Sequence, residues 1–141
     1  PAQRQLLLQI LPTTLMLGLA FLSIGVCISS VTHRVATASS MAVVCWFLLV
    51  FFYDLGLLVA MVATDGALDQ GVVVWMVNLN PAGLYRTGLM TQLIGTSALE
   101  ELGLVVALPS GSVRALIWMG WIAGPLALGG VLLNRQQTVT A

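Results

Sequence analysis

The stretch AVVCWFLLVFFYDLGLLVAMVA, residues 42–63, decides the fold. As an α-helix at about 1.5 Å per residue it would be roughly 33 Å long, enough to cross a hydrocarbon core of about 30 Å. Its only formal charge is Asp54. Two further stretches read the same way. No charge lies between Arg4 and His33, and the run 115–133 is bounded by Arg114 and Arg135. The sequence therefore predicts an all-α membrane protein with three transmembrane helices, at 13–31, 42–63 and 115–133. Pro12 is expected near the first turn of the first helix, where its missing N–H costs nothing. Gly129, Gly130 and Asn134 are expected to finish the third.

Composition leads to the same solvent. The 141 residues are 59% hydrophobic, with 14 glycines besides, and only 7% charged, where about a quarter is usual for a soluble domain. The charges are Arg4, Arg34, Arg86, Arg114 and Arg135 against Asp54, Asp65, Asp69, Glu100 and Glu101, with no lysine. A water-soluble globule could not cover itself with so few. A formal net charge of zero gives no basic footprint for nucleic acid. Cys27 and Cys45 sit inside apolar runs and outline neither a disulfide framework nor a zinc knuckle. The chain starts at Pro1 without a basic region ahead of a short apolar core, so its first helix does not read as a signal peptide; a fragment or a processed chain is expected.

Between the second and third spans, 64–112 forms an excursion whose apolar runs, 71–77 and 102–108, are too short to cross. Gly, Pro and the carboxylates outside Asp54 interrupt them. Short interfacial or re-entrant helices, leaving and returning on one side, are expected there. The arginines near the span ends place the His33–Arg34 loop and the Arg135 tail in the cytoplasm and the excursion in the periplasm.

Few residues carry chemistry. A carboxylate inside a span needs compensation, and Arg86 is the expected partner of Asp54, as a structural ion pair or as half of a gate; a group that handles substrate or protons is the other reading. In Asn80-Pro81-Ala82-Gly83-Leu84-Tyr85-Arg86, proline suits a first helical turn and Asn80 an N-cap. This marks a capped interfacial helix, with Tyr85 and Arg86 at the membrane surface, or a surface for a periplasmic partner formed by Asn80, Pro81, Tyr85 and Arg86. His33 and Arg34, followed by the small residues Ala36, Ala38, Ser39 and Ser40, form either a solvated loop or a coupling loop for an ATPase. Met41 and Cys45 lie at i, i+4, but no third ligand joins them and they read as apolar filling; no metal site is expected. Trp46, Trp75, Trp118 and Trp121 read as interface or packing residues. Gly120 and Gly124, one residue before Pro125, permit close helix packing, within the chain or between copies. Without any lysine there is no Walker motif, and no catalytic constellation is visible, so the chain is expected to be non-enzymatic.

Three of these stretches, VTHRVATASSMA (31–42), FFYDLGLLVAMV (51–62) and NLNPAGLYRTGLM (78–90), resemble in order and spacing the second half of the NosY-type permeases of nitrous oxide reductase maturation, a branch of the ABC type-2 exporter family. The resemblance implies the last three of six spans in a multi-pass protein of the bacterial inner membrane. It further implies a second permease copy, a NosF-type ATPase subunit that binds ATP and Mg, and a NosD-type periplasmic protein. The implied role is conformational coupling of ATP hydrolysis to assembly of a copper-sulfur centre, with a sulfur species as possible cargo. An assembly scaffold that moves nothing through itself, a generic exporter of hydrophobic substrates and a proton-linked carrier using Asp54 are the competing readings.

Overall fold

The computed structural model describes residues 2–101 and 108–139, which contain helices and connections but no strand. Helix α1 (Ala2–Val31) is followed after three residues by a continuous rod. This rod comprises α2 (Val35–Phe47), a π-helical turn (Leu48–Phe52) and α3 (Tyr53–Ala63). Three shorter helices come next, α4 (Gln70–Leu79), α5 (Pro81–Ile94) and α6 (Thr96–Glu101), before α7 (Gly111–Val139). Ala2–Val31, Val35–Ala63 and Gly111–Thr138 are each long and apolar enough to cross a membrane. Of the two short apolar runs in the excursion, 71–77 lies within α4, while 102–108 falls, except for Leu108, outside the described residues.

The long helices continue past the stretches that hydropathy marks, because hydrocarbon thickness limits the apolar part of a helix and not the helix itself. Pro12 lies inside α1 rather than in its first turn, since the glutamines and Arg4 before it are good helix formers. Residues 36–40 are helical, not a loop; they contain no Gly or Pro, and the Ser40 hydroxyl donates to the Ala36 carbonyl at 3.0 Å. At the other end α7 runs through Gly129, Gly130 and Asn134 without stopping.

Gly129 is a packing residue. A Cβ there would come within 3.2 Å of the Cys27 Cα and 3.3 Å of the Ser30 Oγ, so α1 and α7 touch almost backbone to backbone. Their other contacts run in the same order: Ala20 packs with Trp118, and the Ser23 hydroxyl donates to the Trp121 carbonyl at 2.9 Å. The two helices are therefore parallel, as a three-span alternation requires. The rod folds back against α1, with Phe21, Ile24 and Gly25 facing Ala42, Val43 and Trp46 across a cleft.

At the end of α3 the chain turns through Asp65 and Gly66, both with positive φ (50° and 73°). The Gly66 N–H reaches the Met61 carbonyl at 2.9 Å and the Asp65 N–H reaches that of Val62 at 3.1 Å, the pair of bonds that closes a Schellman motif. Helices α4 and α5 then form a hairpin. At about 15 and 21 Å, neither limb could cross a bilayer. The hairpin turn packs against Leu49, the central residue of the rod Val35–Ala63, through Asn80, and Leu84 just beyond it joins Ala20 and Trp118 in the small buried core. From there α5 climbs back toward the start of α1, where the Gln92 amide donates to the Thr13 hydroxyl at 3.3 Å. The hairpin enters and leaves at the same end of the bundle.

Candidate functional site

The polar chemistry of the chain converges on the hairpin turn. Pro81 forces the residue before it out of the α region, and Asn80 is extended (φ −82°, ψ 132°), ending α4 and capping α5. Its side-chain oxygen accepts from the Ala82 N–H at 3.2 Å, the ordinary N-cap bond. Its amide nitrogen does something else, donating to the Leu49 carbonyl at 2.6 Å. That carbonyl lies in the π-helical turn, where the Tyr53 N–H bonds back to Leu48 instead of Leu49. The amide that would serve Leu49 in an α-helix is thus engaged one residue earlier, and Asn80 supplies a donor in its place.

Asn78 is the second buried amide. Its nitrogen donates to the Val74 carbonyl at 2.8 Å, and its oxygen accepts from the Thr87 hydroxyl at 2.8 Å, tying the two limbs together. Both asparagines are essentially inaccessible, at 0% and 1% exposure, a tolerable state only because each is bonded on both sides. The carbonyls at the end of α4 are served from outside the hairpin. The Tyr53 hydroxyl donates to Met76 at 2.7 Å and the Trp121 indole N–H to Leu79 at 2.8 Å, so the rod and α7 each hold α4 by an aromatic donor. Gly83 permits the tight return, since a Cβ there would collide with the Val77 carbonyl oxygen.

One turn further along α5, Arg86 forms an ion pair with Asp54, and its other terminal nitrogen donates to the Val50 carbonyl at 3.3 Å. The pair is accessible, Arg86 and Asp54 showing 48% and 36% of their side-chain surfaces. It borders a groove of about 500 Å³ otherwise walled by Phe47, Val50, Phe51, Phe52, Leu55 and Leu58. A second open groove, of about 610 Å³, lies between the rod and α7, with Tyr53, Asn80, Gly120, Trp121 and Pro125 among its walls.

The structure thus brings Asp54, Arg86 and Asn80 to one place and sets the remaining candidates apart. Asn80 and Pro81 are buried within the chain, so of the residues proposed for a periplasmic partner surface only Arg86 is exposed and Tyr85 partly so. Tyr85 packs against the Ala20–Leu84–Trp118 core, its hydroxyl 3.5 Å from that of Thr14, and is not a surface anchor. His33 and Arg34 sit in the three-residue connection at the opposite end of the bundle, both exposed. A Cβ at Gly120 or Gly124 would meet nothing within 4 Å; these two glycines make no close helix contact among the described residues, and Gly129 makes it instead. Met41 and Cys45 lie on α2, and no group of three or more His, Cys, Asp or Glu side chains assembles among the described residues. Sequence reasoning missed Asn78, Tyr53, Thr87 and Trp121 as members of this site. The usable signal was a pair of amides flanking one leucine in an apolar run, which must find partners if the run is buried.

Residues 2–138 match the model of the ABC-2 family transporter proteins. The chain belongs to that family. It is similar to the probable ABC transporter permease protein NosY of Pseudomonas aeruginosa, with 31% identity over 128 residues covering 88% of this chain and 46% of that protein. It is similar also to the protein of the same name from Stutzerimonas stutzeri, with 30% identity over 125 residues covering 87% and 45%. The chain spans less than half the length of these curated relatives. With three helices long and apolar enough to cross a membrane, it is part of an ABC-2 permease-type membrane protein.

Proposed function

We propose that this chain acts, as part of a NosY-type permease in the bacterial inner membrane, to carry ATP-driven motion from a cytoplasmic NosF-type ATPase to the periplasmic face. There it would serve assembly of the copper-sulfur centre of nitrous oxide reductase through a NosD-type protein. The observation that carries this reading is the attachment of the hairpin to the middle of the rod. Asn80 and Arg86 grip Leu49, Val50 and Asp54, so a displacement of the rod begun near His33 and Arg34 would move the excursion with it. In this reading His33 and Arg34 face the ATPase, a second permease copy completes the assembly, and a sulfur species is the possible cargo.

Asp54→Asn tests the role. The variant should still co-purify with the ATPase and the periplasmic protein, while copper-centre loading of nitrous oxide reductase falls. Normal loading, or failure of the unsubstituted protein to co-purify with either partner, would overturn the reading. The apolar groove beside Asp54 and Arg86 supports a second reading, an exporter of a hydrophobic substrate. That reading predicts substrate-stimulated ATP hydrolysis in a reconstituted complex without any periplasmic protein.

A further inference from the structure

We propose that the Leu48–Phe52 π turn is a register switch, held in its π form by the seated hairpin and closing to a regular α-helix when the hairpin withdraws. A π turn holds one residue more than an α turn and is less favourable on its own. Here the displaced backbone acceptor has an external partner. The Leu49 carbonyl, whose ordinary donor is taken by Leu48, receives the Asn80 amide at 2.6 Å. The adjacent Val50 carbonyl receives Arg86 at 3.3 Å. Both donors come from one element, the start of α5, and the Tyr53 hydroxyl, at the first residue beyond the turn, bonds to Met76 of the same hairpin. Nothing in LLVFF breaks a helix: it contains no Gly, Pro or Ser, the residues to which kinks are otherwise traced. The π geometry is therefore maintained by what the hairpin donates.

The consequence is rotational. Closing the turn adds one residue step to every residue beyond it, about 100° around the axis. With α2 stationary, each position on α3 then takes the place of its C-terminal neighbour. Leu57, the one buried side chain of the rod, would swing from the face that α3 turns to the hairpin to where the exposed Leu58 now stands. Asp54 would leave its seat opposite Arg86, so release of the hairpin and loss of the ion pair become a single event. The turn converts an in-and-out movement of the hairpin into rotation of the outer half of the second helix.

The test is a pair of spin labels on the rod itself. With Cys27 and Cys45 replaced by alanine, nitroxides are placed at Val44→Cys and Leu58→Cys, both exposed side chains and one on each side of the turn, and their separation is measured by pulsed electron spin resonance in the purified protein in lipid nanodiscs. With the extra residue in the turn the two positions lie about 140° apart around the axis, and in a regular α-helix about 40° apart. In Asn80→Ala the separation should shorten by about 5 Å. An unchanged separation would show a loosened hairpin without a change of register and overturn the proposal. Arg86→Gln, which removes one of the two holds and leaves the buried turn intact, should populate the shorter separation to a lesser degree. It carries the test should Asn80→Ala fail to fold, and an unchanged separation in it would then refute the switch.

Discussion

Along the rod from Val35 to Ala63 only Leu57 is buried, and Phe51, Leu58, Val59 and Val62 each show more than half of their surface. Between Asn78 and Leu84 every residue but Leu79 is buried, two amides and a proline included. The apolar element is outside and the polar element inside, the reverse of a protein in water. Lipid tails are as apolar as leucine, so burying more leucine gains little in a bilayer. An unpaired backbone or amide group is costly there. Fit and hydrogen bonds, not removal of oily surface, hold the second helix to the rest.

That contrast breaks or sharpens under substitution, read as unfolding free energy in mixed micelles. Asn80→Ala should cost the most, about 3 kcal/mol, since it strips donors or acceptors from groups in two elements and each unpaired buried group costs about 1–3 kcal/mol. Leu84→Ala, in the buried core between α1, α5 and α7, should cost about 2–3 kcal/mol as a cavity. The same truncation at the exposed Leu58 should stay within about 0.5 kcal/mol. Equal losses at the two leucines would refute the contrast outright. Gly83→Ala should cost about 2 kcal/mol by forcing the limbs apart at Val77. Trp121→Phe, which keeps the ring and removes the donor to Leu79, should cost about 1 kcal/mol. One effect has the opposite sign: Asp65→Gly, at a left-handed position, should stabilise by about 0.5–1 kcal/mol.

The all-α architecture with three long apolar helices was legible because charge is scarce and its gaps are long, and the family model agrees. Asp54 and Arg86 were legible as partners for a related reason: a lone carboxylate in a span leaves few cations to choose from. The cap at Asn80 followed from a local rule, yet its second bond did not, because LLVFF carries no mark of a π turn and the partner lies 31 residues away. Gly120 and Gly124 have the spacing of a packing motif, whereas Gly129 does the packing. Spacing names a face, and only the neighbouring helix determines which face is used. Helix ends were misjudged at Pro12, at 36–40 and at Asn134, where polar residues extend a helix beyond its apolar section.

The parallel pairing of α1 with α7 has a bearing on biosynthesis. Helix α1 finds its main neighbour in α7, and until Gly111–Val139 has left the ribosome the Ser23 hydroxyl lacks the Trp121 carbonyl and the Leu79 carbonyl lacks the indole. A nascent chain halted before that point would hold Leu84 without Trp118 and present the end of α4 to the translocon and to lipid with its Leu79 carbonyl unserved. Completion of α7 is therefore what closes the hairpin turn against α1.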